Sequence, residues 1–352
     1  MSTFEETNLF AQQESNRRKS RWVVGFFIGF FAWLGFGADL LLYLAATQPA
    51  EPAAVWVGFP VVGVALSCLA AGIALYARRT GADKVLWSTG AWRLLNPRTE
   101  LEIRYQNVVD EMTIAASLPA PQLWIIDDAD PNAFATGNSP QSSHIAVTSG
   151  LLNTLDRDEL QAVIAHEMGH IKNLDTQLMT LLAALVGAVL LLRDGAGRTM
   201  RNMLRFGGGR SGGGRRGGKG NGGVAPIIAI LLVVWIISWI IAPIVLQILT
   251  MNVSRRREYL ADAMAAQFTR NPLALASALE KIHAQHTPTT AIKSGVAHLC
   301  IADPLGRRLD EREGAFADLF ATHPPMALRI SKLKAMGFQA LKRAGGFPAT
   351  SV

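Results

Sequence analysis

The chain has 352 residues, half of them hydrophobic and only 17% charged, with a formal net charge of +7. With a positive mean hydropathy it is too apolar for a typical soluble protein and implies membrane spans. Its two cysteines, Cys68 in an apolar run and Cys300 in a distant polar region, exclude a disulfide framework and a cysteine-ligated zinc site, and its clustered positive charge reads first as membrane topology.

Arg17, Arg18, Lys19 and Arg21 precede the first apolar run, Trp22 to Ala46, which is interrupted only by Asp39. At about 25 residues this run exceeds a signal-peptide core and predicts a retained transmembrane helix. The stretch TQPAEP turns without any Lys or Arg, and a second run, Ala53 to Ala77, ends at Arg78 and Arg79. The positive-inside rule puts both ends of this hairpin in the cytoplasm.

Residues 80–150 are mixed in polarity. The spacing in RYQNVVDEMTIAAS predicts a helix with Val108, Met112 and Ala115 on one face and Val109 beside them. QLWIIDD and HIAVTSG predict short strands, with DPNAFATGNSPQSS between them as a loop or a loosely ordered edge. Asp156 and Glu159 form a capping-box pair at the start of the next helix. On it, Leu160, Ile164, Met168 and Ile171 make one stripe, and Val163, His166, Glu167 and His170 make another, off the main core face.

A third apolar run, Leu178 to Leu192, is short for a span. A fourth, Val224 to Leu249, is long enough, and Pro243 is expected to kink it. Between them lies FGGGRSGGGRRGGKGNGG, in which eleven of eighteen residues are Gly and four are basic; it predicts a flexible linker. From Met251 onward the chain is again soluble-like and mostly helical.

The chemistry is carried by HEMGH, His166 to His170. In H-E-x-x-H on a helix, the two histidines stand one turn apart and can bind one zinc through their imidazoles. Glu167 lies beside the first and can take a proton from a water activated by the metal. The plainer alternative is a helix with two exposed histidines. In REYLAD, Glu258 and Asp262 fall four apart on one helix face. Glu258 can complete a His-His-Glu set, and Asp262 can accept a hydrogen bond from the distal nitrogen of a ligand histidine. The alternative is a solvated acidic pair beside the arginine run.

Together HEMGH, EYLAD, NAFATG and HPPMALRI, with two apolar runs before and two after the zinc helix, resemble the HtpX-type integral-membrane zinc metalloproteases, relatives of the CaaX prenyl proteases. The resemblance covers roughly residues 20–340. It implies a gluzincin facing the cytoplasm from the cell inner membrane, cleaving membrane proteins in envelope quality control. It implies His166, His170 and Glu258 as Zn2+ ligands and Glu167 as the catalytic glutamate. Asp262 matches the aspartate of the E-x-x-x-D pattern, and Asn132 the asparagine near the substrate-binding edge strand. His323 matches a histidine that can donate to the tetrahedral oxyanion, and Arg329 an arginine that can bind a carboxylate. Beside these stand plainer readings: Asn132 capping a turn, His323 ordering the chain before Pro324, and Arg329 as a surface cation. His144, His283, His286 and His298 fit no motif and are expected at the surface.

The expected architecture is a membrane α-helical protein of about four spans, with a mostly helical α+β metalloprotease domain carrying a small edge sheet. Its parts are a cytoplasmic segment (1–21), a transmembrane hairpin (22–77), a first catalytic part (78–175), a second membrane hairpin (176–250) containing the linker at 193–223, a second catalytic part (251–340) and a tail (341–352). Because His170 and Glu258 bind one metal, an even number of crossings separates them, and two are favoured. The expected partners are the lipid bilayer and membrane-protein or peptide substrates. A CaaX-type prenyl-peptide protease is a second reading, although those relatives resemble longer chains with more spans. A membrane scaffold using the Arg/Gly tract is a third. Such tracts can contact nucleic acid, but this one lacks interleaved aromatics beyond Phe206, so nucleic acid is not an expected partner.

Overall fold

The computed structural model describes residues 9–46, 59–188, 255–302 (except 286–288, 290 and 293–295) and 324–343. The basic linker, the fourth apolar run, the TQPAEP turn, His286 and His323 lie outside the described residues. The chain divides into two compact units, one of residues 1–21, 78–184 and 248–352, the other of residues 22–77 and 185–247.

The second unit contains the apolar stretches of α1 (Leu9–Ala46) and α2 (Val61–Ser88). Both helices are long and apolar enough to cross a membrane. On them Phe27, Phe31, Leu34, Ala70 and Ala74 are buried. At the closest approach a Cβ on Gly35 would come within 2.6 Å of the Gly63 Cα, so only glycine fits there. Asp39, the single charge in the first run, has a structural purpose. Its carboxylate accepts the N–H groups of Val62 and Gly63 at 3.2 and 2.7 Å. A carboxylate at a helix N-terminus satisfies donors that have no partner within the helix and sits favourably in the helix dipole. Trp33, Phe36, Leu40, Leu42, Leu69 and Leu75 stay exposed, as lipid-facing side chains do.

Each helix extends beyond its apolar run at one end. α1 begins before the basic cluster, and α2 continues past Arg78 and Arg79 to Ser88. In that extension Ala82, Val85 and Leu86 are buried, a helical spacing that packs in the first unit.

The first unit is helical around a small sheet. α3 (Glu100–Ala116) opens with a capping box between Thr99 and Glu102. Its buried face is Tyr105, Val108, Val109, Met112 and Ala116; Ala115, expected on that face, is exposed. The strands β1 (Trp92–Arg93), β2 (Gln122–Ile126), β3 (Ala133–Gly137) and β4 (Ser143–Thr148) lie in the order β1-β2-β4-β3. The β2–β4 pair is parallel and the other two are antiparallel. The segment expected as a loop or loose edge thus forms β3, buried along its whole length. Local composition gave little strand signal there. Its outer edge is satisfied by the rest of the chain: Ile301 N–H donates to the Ala133 carbonyl at 2.9 Å, and Gly137 N–H donates to Thr180 Oγ1 at 3.1 Å.

The second expected strand ends at Thr148, whose hydroxyl caps α4 (Ser149–Thr154). α5 (Arg157–Lys172) carries the expected capping box: Asp156 accepts Glu159 N–H at 2.9 Å, and Glu159 accepts Asp156 N–H at 3.0 Å. Glu159 also receives Ser277 Oγ and Lys281 Nζ at 2.7 and 2.6 Å, which ties α5 to the later helix Pro272–Ala284. α6 (Asp175–Ala188) follows, then α7 (Arg255–Thr269), α8 (Pro272–Ala284) and α9 (Met326–Arg343). α5 packs against α3, β3, α7 and α8. It is therefore buried nearly all round, and its two sequence stripes do not divide core from surface.

Candidate metal centre

α5 presents His166, Glu167 and His170, and α7 presents Glu258 and Asp262. Gly169 lets the helices close: a Cβ there would meet the Ala261 backbone at 3.3 Å. That approach brings Glu258 to the histidines. The Nε2 atoms of His166 and His170 are 3.1 Å apart, and Glu258 oxygens lie 3.6 and 3.5 Å from them. Donors bound tetrahedrally to one zinc at about 2.0–2.1 Å stand about 3.3–3.4 Å from each other. The observed separations bracket that value. Among the described residues, these three form the group whose donor atoms all fall within 4.8 Å of one another.

Each histidine has a carboxylate beside its other nitrogen. His166 Nδ1 lies 3.0 Å from Asp262 Oδ1, and His170 Nδ1 lies 3.1 Å from Asp175 Oδ2. A carboxylate at Nδ1 holds the proton there and turns the Nε2 lone pair toward the common point. Burial opposes a positive His166, but the Asp262 and Glu258 carboxylates beside it outweigh that and push its pKa up to about 9. The pocket therefore favours a cation at Nε2, and a divalent metal satisfies that preference with the ring neutral.

Glu167 is 1% exposed and does not join the three donors. Its Oε2 has no hydrogen-bond partner among the described residues. Burial raises its pKa, which the neighbouring histidines oppose. Glu167, His170 and Glu258 line one small cavity with Ala135 of β3 and His298. Its free volume of about 20 Å3 holds one ion or one water.

Arg329 is not the surface cation of the plainer reading, because it is 0% exposed. It donates through Nε and Nη2 to both oxygens of Asp262 at 2.9 and 2.7 Å. Its Nη1 lies 3.1 Å from Glu258 Oε2 and donates to the Ile301 carbonyl at 3.1 Å. Burial works against the charge of Arg329, but Asp262 and Glu258 overcome it and raise its pKa above the ordinary value. Asp262 is likewise held below the usual carboxylate range, because Arg329 and His166 outweigh its burial.

Asn132 is fully buried, and its side chain is used within the chain. Its Nδ2 donates to the Ala302 carbonyl at 3.0 Å, and its Oδ1 accepts Ala133 N–H at 3.1 Å. It fixes the entry to β3.

Several participants carried no sequence motif. Asp175 follows His170 by five residues, across a turn in which Leu174 takes φ +60°. Arg257, beside Glu258 in the RRRE run, lies 3.5 Å from Asp175 and lines the cavity. Asn16, on α1, donates to Asp175 Oδ1 at 2.8 Å and to the Asn173 carbonyl at 2.9 Å. Gln13 donates to the Lys172 carbonyl at 2.7 Å. The helix that leads into the first apolar run thus caps the end of α5 and braces the His170 side. His144 and His298, expected at the surface, are both buried. His144 packs in the sheet, where Trp124 Nε1 donates to it at 3.2 Å, while His283 is exposed as expected.

Peptidase family M48 matches residues 99–337. The Protease HtpX homolog of Lactiplantibacillus plantarum is 35% identical over 336 residues, covering 93% of this chain and all of that protein. The Protease HtpX homolog of Thermoanaerobacter pseudethanolicus is 43% identical over 230 residues, 65% of this chain and 71% of that protein. Among solved structures, S. mikatae Ste24p is similar at 18% identity and a TM-score of 0.41, covering 89% of this chain and 66% of that one.

Proposed function

The chain belongs to peptidase family M48 as an HtpX-type membrane protease, and from that premise we propose that it is a zinc endopeptidase cleaving membrane proteins, misfolded ones among them, in envelope quality control. The observation that carries the reading is the convergence of His166 Nε2, His170 Nε2 and a Glu258 oxygen on one point, with both Nδ1 atoms held by carboxylates. Zinc bound there would supply Lewis acidity toward a peptide carbonyl and an attacking water.

The chain's own residues supply the rest. Glu167, on the cavity wall and not among the three donors, accepts the proton of the attacking water and returns it to the leaving amine. Its raised pKa suits a group that must both take up and release a proton. Asp262 and Asp175 keep the histidines in the ligating tautomer. Arg329 neutralises Asp262 and Glu258, so that these two buried carboxylates can share one interior. Asn132 sets the position of β3, from which Ala135 lines the cavity. His323 precedes Pro324 and α9, the helix of Arg329, and its proposed part is donation to the oxyanion. Basic residues before the first apolar run and after the second support a cytoplasmic active site in the inner membrane.

Metal analysis together with hydrolysis tests the reading. Protein purified in detergent should carry one zinc per chain and cleave casein or a membrane-protein substrate. Chelation should abolish cleavage, and added zinc should restore it. Undiminished hydrolysis by metal-stripped protein would contradict the proposal.

A further inference from the structure

On the outer surface of the first unit is an open cavity of about 630 Å3, within the roughly 300–1,000 Å3 usual for small-ligand sites. Arg17 and Arg21 of α1 and Arg78 of α2 line it, with Gln13, Ser20 and Gln177. Arg17 and Arg21 are one helical turn apart, where like charges repel, and Arg78 adds a third cation from another helix. None of the three forms an ion pair with a described residue. Glu14 is the one carboxylate on the wall, so positive charge is in excess. Ser20 gives an independent sign: it is 2% exposed, and its Oγ has no hydrogen-bond partner among the described residues.

The depth of the cavity follows from the chain itself. Arg21 immediately precedes the apolar run that begins at Trp22, and Arg78 immediately follows the one that ends at Ala77. Trp22 and Tyr76 are 73% and 54% exposed. Exposed Trp and Tyr at the ends of spans sit at headgroup level, and basic pockets at that level on the cytoplasmic side suit anionic headgroups.

We propose that this cavity binds the phosphate of an anionic phospholipid headgroup, with Arg17, Arg21 and Arg78 as its cationic wall and Ser20 Oγ as a hydrogen-bond donor. The same chemistry would accept free phosphate; the position at the ends of two apolar runs selects the lipid. Binding to the full chain in neutral detergent tests this, with dioctanoyl phosphatidylglycerol, dioctanoyl phosphatidylcholine and inorganic phosphate as separate probes and native mass spectrometry as the readout. Phosphatidylglycerol should bind saturably and at least about tenfold tighter than phosphatidylcholine, weakening as salt rises. Arg17→Gln, Arg21→Gln and Arg78→Gln should each weaken it about fivefold, the effect of one basic residue at an anionic surface. Glu14→Gln should tighten it, a gain that misfolding does not produce. Equal binding of the two lipids, unchanged binding in all three arginine variants, or inorganic phosphate binding as tightly as phosphatidylglycerol would overturn the proposal.

Discussion

His166 and His170 offer the same nitrogen to the same point, yet their surroundings differ. His166 is fully buried, and its Asp262 is gripped through two hydrogen bonds by Arg329, itself 0% exposed. His170 is partly exposed, and its Asp175 is braced by Asn16 from α1 and approached by Arg257. The first side is a closed ionic cluster that reaches to α9, near the end of the chain. The second joins one longer ion pair, Asp175 with Arg257 at 3.5 Å, to a chain of hydrogen bonds that reaches the N-terminal helix just before its apolar run. Closed ionic clusters are all-or-none, because removing one partner leaves the others buried and uncompensated. Hydrogen-bonded struts loosen by smaller steps. The two sides should therefore fail differently.

The largest effect should come from Arg329→Met, which leaves Asp262 and Glu258 buried without their cation. The cost should be about 3–5 kcal/mol of stability, read by denaturant unfolding of the metal-loaded protein. A change below about 1 kcal/mol would break the contrast between the two sides.

Next come the paired substitutions Asp262→Asn and Asp175→Asn. Loss of the carboxylate behind a ligand histidine lowers metal affinity by about 10–100-fold. Asp262→Asn should fall at the upper end, because it breaks the two short hydrogen bonds from Arg329, and Asp175→Asn at the lower, because Arg257 stands 3.5 Å from that carboxylate. Chelator competition ranks them, and the reverse order would contradict the assignment of the closed cluster to His166.

The smallest effect sharpens the second side. Asn16→Ala removes the hydrogen bond to Asp175, worth about 1 kcal/mol, and should raise the rate of zinc loss to a chelator several-fold. Gln13→Ala, which removes the hydrogen bond to the Lys172 carbonyl and none to Asp175, should leave that rate nearly unchanged. Equal effects would show that α1 supports α5 only in general.

What the sequence made legible follows the reach of local periodicity. HEMGH, the Asp156–Glu159 cap and the Glu258–Asp262 pair all lie within one or two turns of a single helix, where spacing alone puts side chains on one face. Asp175 escaped because a turn with a left-handed residue stands between it and His170. Asn16 and Arg257 escaped because their partners lie far away in sequence. β3 is expected from sequence only as a loop or a loosely ordered edge, because its stability comes from Ile301, Thr180 and Asn132, not from its own composition. The apolar runs marked where α1 and α2 are hydrophobic but not where they end, since their polar extensions pack against protein. The same runs gave Asp39 as an interruption, and only the fold reveals it as the cap of α2.

The most direct test of the account is Glu167→Gln, with metal content and hydrolysis measured on the same detergent-purified sample. Gln keeps the shape of the side chain but cannot take the proton of the attacking water. The account predicts one zinc per chain, as in the parent, with hydrolysis reduced about 10²–10⁴-fold. Parental hydrolysis at full zinc occupancy would contradict it.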